Sequence, residues 1–161
     1  MTALWAGAVI VAALLVQAGL SLLAPTFAPL LDLFLIITVF VCLARGPVAG
    51  MVVGAVAAWA QDVSYGGPIL GLIGLARVLV AFAVGHAGHR FVITSVPAQA
   101  ATLFGASLLD VWLLSRFAAV FEVPLAGLPL LGLLGRAAVN AVVGTLAFRL
   151  IEWRRQRELE V

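Results

Sequence analysis

The sequence predicts an all-α integral membrane protein, folded as a bundle of six transmembrane helices. The first observation is composition: of 161 residues, 65% are hydrophobic and 10% are charged, and the mean hydropathy is +1.23. A soluble domain averages about 45–50% apolar and about 25% charged residues. The second observation is that the apolar residues fall into six segments with short connections. Together these features exclude a soluble monomer, a disordered chain and a nucleic-acid-binding protein.

The six apolar segments are read as helices because glycine and alanine are scattered through continuous apolar sequence, whereas a membrane β-barrel needs short alternating segments. The first is longer than the apolar part of a signal peptide, and no basic residue precedes it, so we expect a retained helix. The second and third fall short of roughly 20 residues and are expected to extend into their flanks, to lie in thinned lipid or to lie inside the bundle. Residues 1–153 are predicted to form one transmembrane domain and 154–161 a short cytoplasmic tail. The predicted spans are Leu4–Ala24, Leu30–Ala44, Val48–Gln61, Ile69–Gly85, Val96–Val120 and Leu128–Trp153.

Arginine placement predicts that both termini face the cytoplasm. In this orientation Arg45, Arg90 and the arginines near the C-terminus lie on the cytoplasmic side. Asp32, Asp62 and Glu122 lie on the opposite side, with Arg116 near the end of the fifth span. An excess of arginine on the cytoplasmic side is the positive-inside pattern.

Polar side chains within the spans are predicted to share one depth in the outer half of the membrane. A charge at the bilayer centre costs about 2.5–3.5 kcal/mol on insertion scales, so these groups are expected to face the bundle interior. In one interpretation Asp110 pairs with Arg77 or Arg136 and fixes the helix register. In the other, the cluster lines a pocket or receives a polar group from a partner's helix. We favour the ion pair. The predicted cluster consists of Arg77, Asp110, Arg136 and Asn140.

A ridge of small residues with a spacing of four is predicted along the third span. Its members are Gly46, Gly50, Gly54, Ala58 and, at its end, Asp62. This spacing places them on one helical face, where a second backbone can approach closely. We favour packing inside the protein over a surface for a foreign helix. In the turn that follows, Gly66 and Gly67 permit positive φ, and Asp62 can accept backbone N–H groups.

Catalytic and metal-binding motifs are not evident in the sequence. His86 and His89 lie beside Arg90 and are expected to be solvated loop residues, since no cysteine or acidic residue accompanies them. Cys42 is the single cysteine and lies in an apolar run. No Ser/His/Asp set, pair of catalytic carboxylates or phosphate-binding loop is visible, so neither an enzyme nor a bound cofactor is expected.

The chain resembles the MreD family, the rod shape-determining membrane proteins of bacteria, over most of its length. The most specific part of the resemblance is Gln61-Asp62 followed by Ser64, Gly66, Pro68, Leu70 and Gly71. The other shared features are Pro25 and Pro29 before Leu30-Leu31-Asp32-Leu33, the sequence Arg45-Gly46-Pro47, and the pair Gly50 and Gly54.

The resemblance implies a non-enzymatic scaffold of the bacterial cytoplasmic membrane. Such a protein binds MreC and couples MreB filaments to peptidoglycan synthesis by RodA and its transpeptidase. Residues expected to contact or shape a groove for the transmembrane helix of MreC are Gly50, Gly54, Asp62, Gly66, Gly67 and Gly71.

The family is also similar in fold to the substrate-binding S components of energy-coupling-factor vitamin transporters, which are six-helix bundles with a ligand pocket in the outer half. The alternative function is therefore a transporter component in which the predicted polar cluster binds a small water-soluble ligand. A vitamin pocket typically carries several aromatic groups, and Trp112 is the only Trp or Tyr near these residues. We therefore favour the scaffold.

Overall fold

Helices dominate the computed structural model, which describes residues 3–65, 69, 71–90, 93, 95–124 and 129–159. Within these ranges there are six α-helices and one 3-10 helix, and no strand, so the all-α prediction is confirmed. The α-helices are α1 (Ala3–Leu23), α2 (Leu33–Arg45), α3 (Pro47–Tyr65), α4 (Leu72–Arg90), α5 (Val96–Val120) and α6 (Leu130–Leu159). The 3-10 helix, Ala28–Leu30, lies between α1 and α2.

Three segments are long and apolar enough to cross a membrane: Ala28–Arg45, Val96–Val120 and Leu130–Arg154. Two shorter apolar helical segments, Ile10–Leu23 and Leu72–Gly88, accompany them. The length and composition of the three long segments indicate a membrane-associated protein.

Several predicted boundaries are corrected by the structure. α3 begins at Pro47 and continues past Gln61 to Tyr65, so the third segment extends into its flanks, one of the expected outcomes, and is 19 residues long. α4 continues to Arg90, so the prediction of a loop at His86 is wrong: this exposed side chain lies in the last turns of α4 and stacks on Phe82. α6 extends through most of the predicted tail, because nothing in the arginine-rich sequence after the apolar segment breaks a helix.

α2 is the central helix of the bundle and contacts each of the other five α-helices. It has only 13 residues, and Phe34, Leu35 and Val39 have no exposed surface. The predicted start at Leu30 is wrong because Pro29 lies in the 3-10 helix and Leu31 is extended, so the α-helix begins after Asp32. The expectation that the short second span lies inside the bundle is met.

Glycines bring the helices close together at the end of the bundle where α2 ends and α3 begins. A Cβ atom added to Gly50 would collide with Cys42 Sγ on α2. A Cβ atom on Gly85 of α4 would lie 2.5 Å from Cα of Pro47. Helices in lipid associate through such close packing, because burying apolar surface gives no advantage there.

α1 is the least embedded helix. Ile10 and Ala13 are buried against α2 and α3, but Leu15 and Leu22 are 69% and 85% exposed. Gln17 makes two polar contacts from the second half of α1: Nε2 donates to the carbonyl oxygen of Leu31 at 2.8 Å, and Oε1 accepts from the backbone N–H of Leu33 at 3.4 Å. α1 therefore meets the bundle along a narrow stripe.

Candidate functional site

Asp32 lies at the start of α2 and caps the helix. Its Oδ1 accepts a hydrogen bond from the backbone N–H of Leu35 at 2.9 Å, which satisfies one of the free donors of the first turn. Its own backbone N–H donates to Oδ1 of Asn140 at 2.8 Å. The side chain is 3% exposed, so this carboxylate is buried and needs a cationic partner.

Arg77 supplies that partner from the second turn of α4. Its two terminal nitrogens donate to the two oxygens of Asp32, at 3.3 Å and 2.8 Å, in a bidentate pair. Its Nε donates to Oδ1 of Asp110 on α5 at 3.3 Å. The planar guanidinium group suits this arrangement, since its donors project in a fixed fork toward both carboxylates. Arg77 is 1% exposed and joins α2, α4 and α5.

Arg136 approaches the same carboxylates from the second turn of α6. Its Nη2 lies 2.8 Å from Oδ2 of Asp32 and 3.8 Å from Oδ2 of Asp110. Its side chain is 19% exposed, and its buried Nε has no hydrogen-bond partner among the described residues. Arg136 is therefore the edge of the group, and Arg77 is its centre.

We call Asp32, Arg77, Asp110 and Arg136 the charged cluster, and the end of the bundle that holds it the cluster end. Two carboxylates face two guanidinium groups, so the formal charge sums to zero. Asn140 extends the network: besides accepting from Asp32, it donates to Ser107 Oγ at 3.0 Å and has no exposed surface. Removing one partner of a close, buried ion pair leaves an uncompensated charge and costs about 3–5 kcal/mol.

Every residue of the predicted polar cluster lies in or beside this network, and Asp110 contacts both candidate arginines. The sequence-based interpretation missed Asp32, which it assigned to the outer connection. The missing signal was a charge balance: the predicted set held two arginines against one aspartate, and electroneutrality required another buried carboxylate. Trp112 does not line the cluster; it is 53% exposed, and its ring lies 5.6 Å from the guanidinium carbon of Arg116.

The small-residue ridge of α3 faces the protein interior. Gly50 packs on Cys42 as described, and a Cβ atom on Gly54 would lie 2.9 Å from Thr38 Cγ2 and 3.2 Å from Arg77 Cγ. Ala58 has no exposed surface. Gly50 and Gly54 are therefore unavailable for direct contact with a foreign helix in this structure. The absence of a side chain at Gly54 makes room for the aliphatic part of Arg77, so the ridge and the charged cluster pack against each other.

One end of the predicted ridge differs from the prediction, whereas at the other end Asp62 accepts a backbone N–H, as predicted. Gly46 lies outside α3: it caps the end of α2, with φ of 89°, and its N–H donates to the Cys42 carbonyl. A positive φ is costly for residues with a Cβ, which explains glycine there. Asp62 is 1% exposed, and its Oδ2 accepts from the backbone N–H of Gly71, whose φ is 93°. Gly66 and Gly67 lie outside the described residues.

Metal-binding geometry does not arise within the described ranges, where no three His, Cys, Asp or Glu residues come together. Cys42 is buried, and its thiol donates to the carbonyl oxygen of Ala81 at 3.3 Å. The chemistry available to the charged cluster is hydrogen bonding and charge neutralisation among its own members.

No known protein family, curated protein or solved structure gives a significant match to this chain. The functional assignment therefore depends on the geometry above and on the residues that carry the resemblance described in the sequence analysis.

Proposed function

We propose that this protein is a six-span scaffold of the bacterial cytoplasmic membrane, similar to MreD, with both termini in the cytoplasm. Its role is to bind MreC within the membrane and so to help couple MreB filaments to peptidoglycan synthesis by RodA and its transpeptidase. The proposal begins from the apolar helices and the arginine distribution. It assigns the protein no reaction of its own.

The observation that carries the proposal is the self-compensation of the charged cluster. A ligand-binding site needs polar groups that are free to contact a ligand. Here both oxygens of Asp32 and the terminal nitrogens of Arg77 are already engaged with one another. Such a network holds four helices in a fixed arrangement, which suits a scaffold better than a vitamin-binding pocket.

The proposed docking surface for the transmembrane helix of MreC is the outward face of α3, on the side opposite the buried ridge. Because the small-residue ridge of α3 packs against α2 and α4, the outward face of α3 is held in a fixed orientation. We expect the small-residue ridge to position the surface and not to contact the partner. The outward face consists of Val48, Val52, Val56, Trp59 and Val63, which are 72%, 60%, 49%, 62% and 57% exposed.

Disulfide crosslinking in membranes tests this surface. In a Cys42→Ala background, Val52→Cys and Val56→Cys would be paired with single cysteines along the transmembrane helix of MreC. The matched controls are Val142→Cys and Leu146→Cys on α6, which are 60% and 65% exposed. We expect crosslinks from α3 and none from α6. Equal crosslinking from both helices, or none from α3, would contradict the docking surface.

Binding measurements separate the scaffold from the transporter alternative. We expect the purified protein to co-elute with MreC. We also expect vitamins to leave its melting temperature unchanged. Stabilisation by a vitamin without MreC association would favour the S-component function.

A further inference from the structure

α6 continues past the apolar segment that is long enough to cross a membrane. That segment ends at Arg154, whereas the helix ends five residues later, at Leu159. At a rise of 1.5 Å per residue these residues project about 7–8 Å beyond the segment. The headgroup layer of a bilayer adds about 5–7 Å on each side of the hydrocarbon core. When the apolar segment spans the membrane, the last turns of α6 therefore lie at the depth of the lipid headgroups.

The exposed arginines of these turns gather on one side of the helix. Arg149, Trp153 and Arg157 follow one another at intervals of four residues, which places them along one face. Arg154 lies beside this face, three residues before Arg157. All three arginine side chains are exposed, and the guanidinium carbon of Arg157 lies 4.0 Å from the ring centroid of Trp153. We call this surface, Arg149, Trp153, Arg154 and Arg157, the basic face of α6.

The basic face has no acidic counterpart within the described part of the chain. Every ion pair found there belongs to the charged cluster, at the opposite end of the bundle. Glu152 is turned toward α5, where its Oε1 accepts from Gln99 Nε2 at 3.5 Å. With 3.6 residues per turn, position 158 lies about 140° around the helix from Trp153 and so outside the basic face. Three cations on one surface without a neighbouring carboxylate attract an anion.

The apolar surface that leads to the basic face indicates which kind of anion. Val142, Leu146 and Leu150 follow one another at intervals of four residues and are 60%, 65% and 55% exposed. This stripe runs along the same side of α6 and ends beside Trp153, which is 49% exposed. Tryptophan is enriched where a membrane protein crosses the membrane–water interface. An apolar stripe that ends in a tryptophan and unpaired arginines matches an amphiphile with an anionic head.

We propose that the basic face of α6 binds an anionic phospholipid, such as phosphatidylglycerol. Arg154 and Arg157 hold the phosphodiester, because the planar guanidinium group donates to phosphate oxygens in pairs. Arg149 lies deeper and extends its charged end along the helix toward the same headgroup. The acyl chains follow Leu146 and Leu150. The proposal rests on α6 crossing the membrane, as in the proposed function, and is independent of whether the protein binds MreC.

Native mass spectrometry of the purified protein tests the proposal with two lipids. Phosphatidylglycerol and phosphatidylcholine of identical acyl chains share the phosphodiester, but the choline group of the second cancels its charge. We expect phosphatidylglycerol to bind about fivefold tighter or more, since one arginine near an anionic lipid surface contributes about 1 kcal/mol. Equal binding of the two lipids would overturn the proposal and would leave the basic face to an acidic segment of a protein.

Two double variants locate the preference. Arg154→Gln with Arg157→Gln is expected to reduce the preference for phosphatidylglycerol to less than twofold. The matched control, Arg90→Gln with Arg116→Gln, also removes two positive charges from exposed arginines, and Arg116 likewise lies near a tryptophan ring. We expect the control to keep the preference. A preference that survives the α6 variant, or that is lost equally in the control, would contradict the assignment to the basic face.

The soluble headgroup distinguishes a lipid from a free phosphodiester. Glycerophosphoglycerol has the headgroup of phosphatidylglycerol without its acyl chains. We expect it to displace the lipid only weakly, because it gains nothing from the apolar stripe of α6. If glycerophosphoglycerol bound as tightly as phosphatidylglycerol, the lipid assignment would be wrong.

Discussion

The two ends of this bundle are held together by different interactions. At the cluster end, Asp32, Arg77 and their neighbours join four helices through ion pairs and hydrogen bonds. At the opposite end, Gly50 and Gly85 let backbones meet at van der Waals distance, and Phe40 packs edge-on to Phe148 with ring centroids 5.1 Å apart. Both are means of association that work where hydrocarbon surrounds the helices. The charges fix which helices meet at a given depth, and the glycines fix how closely they meet.

Removing the central cation, Arg77, should reduce the free energy of unfolding more than any other single change. Arg77→Met leaves Asp32 and Asp110 facing each other with only Arg136 nearby, so we expect a loss of about 3–5 kcal/mol in the free energy of unfolding. Reversible unfolding in mild detergent measures it. The control is Arg116→Met, an exposed arginine outside the cluster, for which little change is expected. A loss below about 1 kcal/mol for Arg77→Met would show that the cluster contributes little to stability.

The two carboxylates should differ in importance. Asp32 accepts from both arginines and caps α2, with ion-pair distances of 2.8 Å, whereas Asp110 lies 3.3 Å and 3.8 Å from its arginines. Each change to asparagine removes one negative charge, so the net charge is matched. We expect Asp32→Asn to cost about 3 kcal/mol, near the lower end of the range for breaking a buried pair, and Asp110→Asn clearly less. Equal losses would mean that total charge, and not geometry, decides stability.

Substitutions at the glycine contacts should change the free energy of unfolding less than substitutions in the charged cluster, and their effect can be measured separately. Gly85→Ala would place a Cβ atom against the backbone of Pro47, so we expect a loss of about 1–3 kcal/mol from overpacking. Gly105→Ala on α5 is the control, because nothing lies within 4 Å of its added Cβ atom. There the better helix propensity of alanine should add up to about 1 kcal/mol of stability. If both variants changed the free energy of unfolding in the same direction, close packing of the glycines at the opposite end would be contradicted.

Some features of this fold follow directly from the sequence. α5 has the predicted bounds because Pro97 occupies its first turn and Glu122 and Pro124 follow its apolar run, so both ends carry local signals. The positions of Arg77, Asp110 and Arg136 were also predictable, since charges in apolar segments are expected to face the interior.

Other features depend on tertiary contacts that no local pattern reveals. The spacing of Gly50 and Gly54 defines a helical face but does not say whether that face meets α2 or another protein. Asp32 looked like a loop residue because prolines precede it, and only its pairing with Arg77 across 45 positions makes it part of the cluster. Gln17 likewise acquires its role from the distant carbonyl of Leu31. Charge balance is the one global rule that sequence reasoning can apply to such cases.

A double-mutant cycle between Arg136 and Asp110 tests the central claim, that the cluster is a mutually neutralising structural network. Each single change, Arg136→Gln or Asp110→Asn, unbalances the charge, whereas the double variant leaves the neutral pair of Asp32 and Arg77. We predict that the double variant loses about 1–3 kcal/mol less in free energy of unfolding than the sum of the two single losses. Additive losses, within about 0.5 kcal/mol, would contradict the claim.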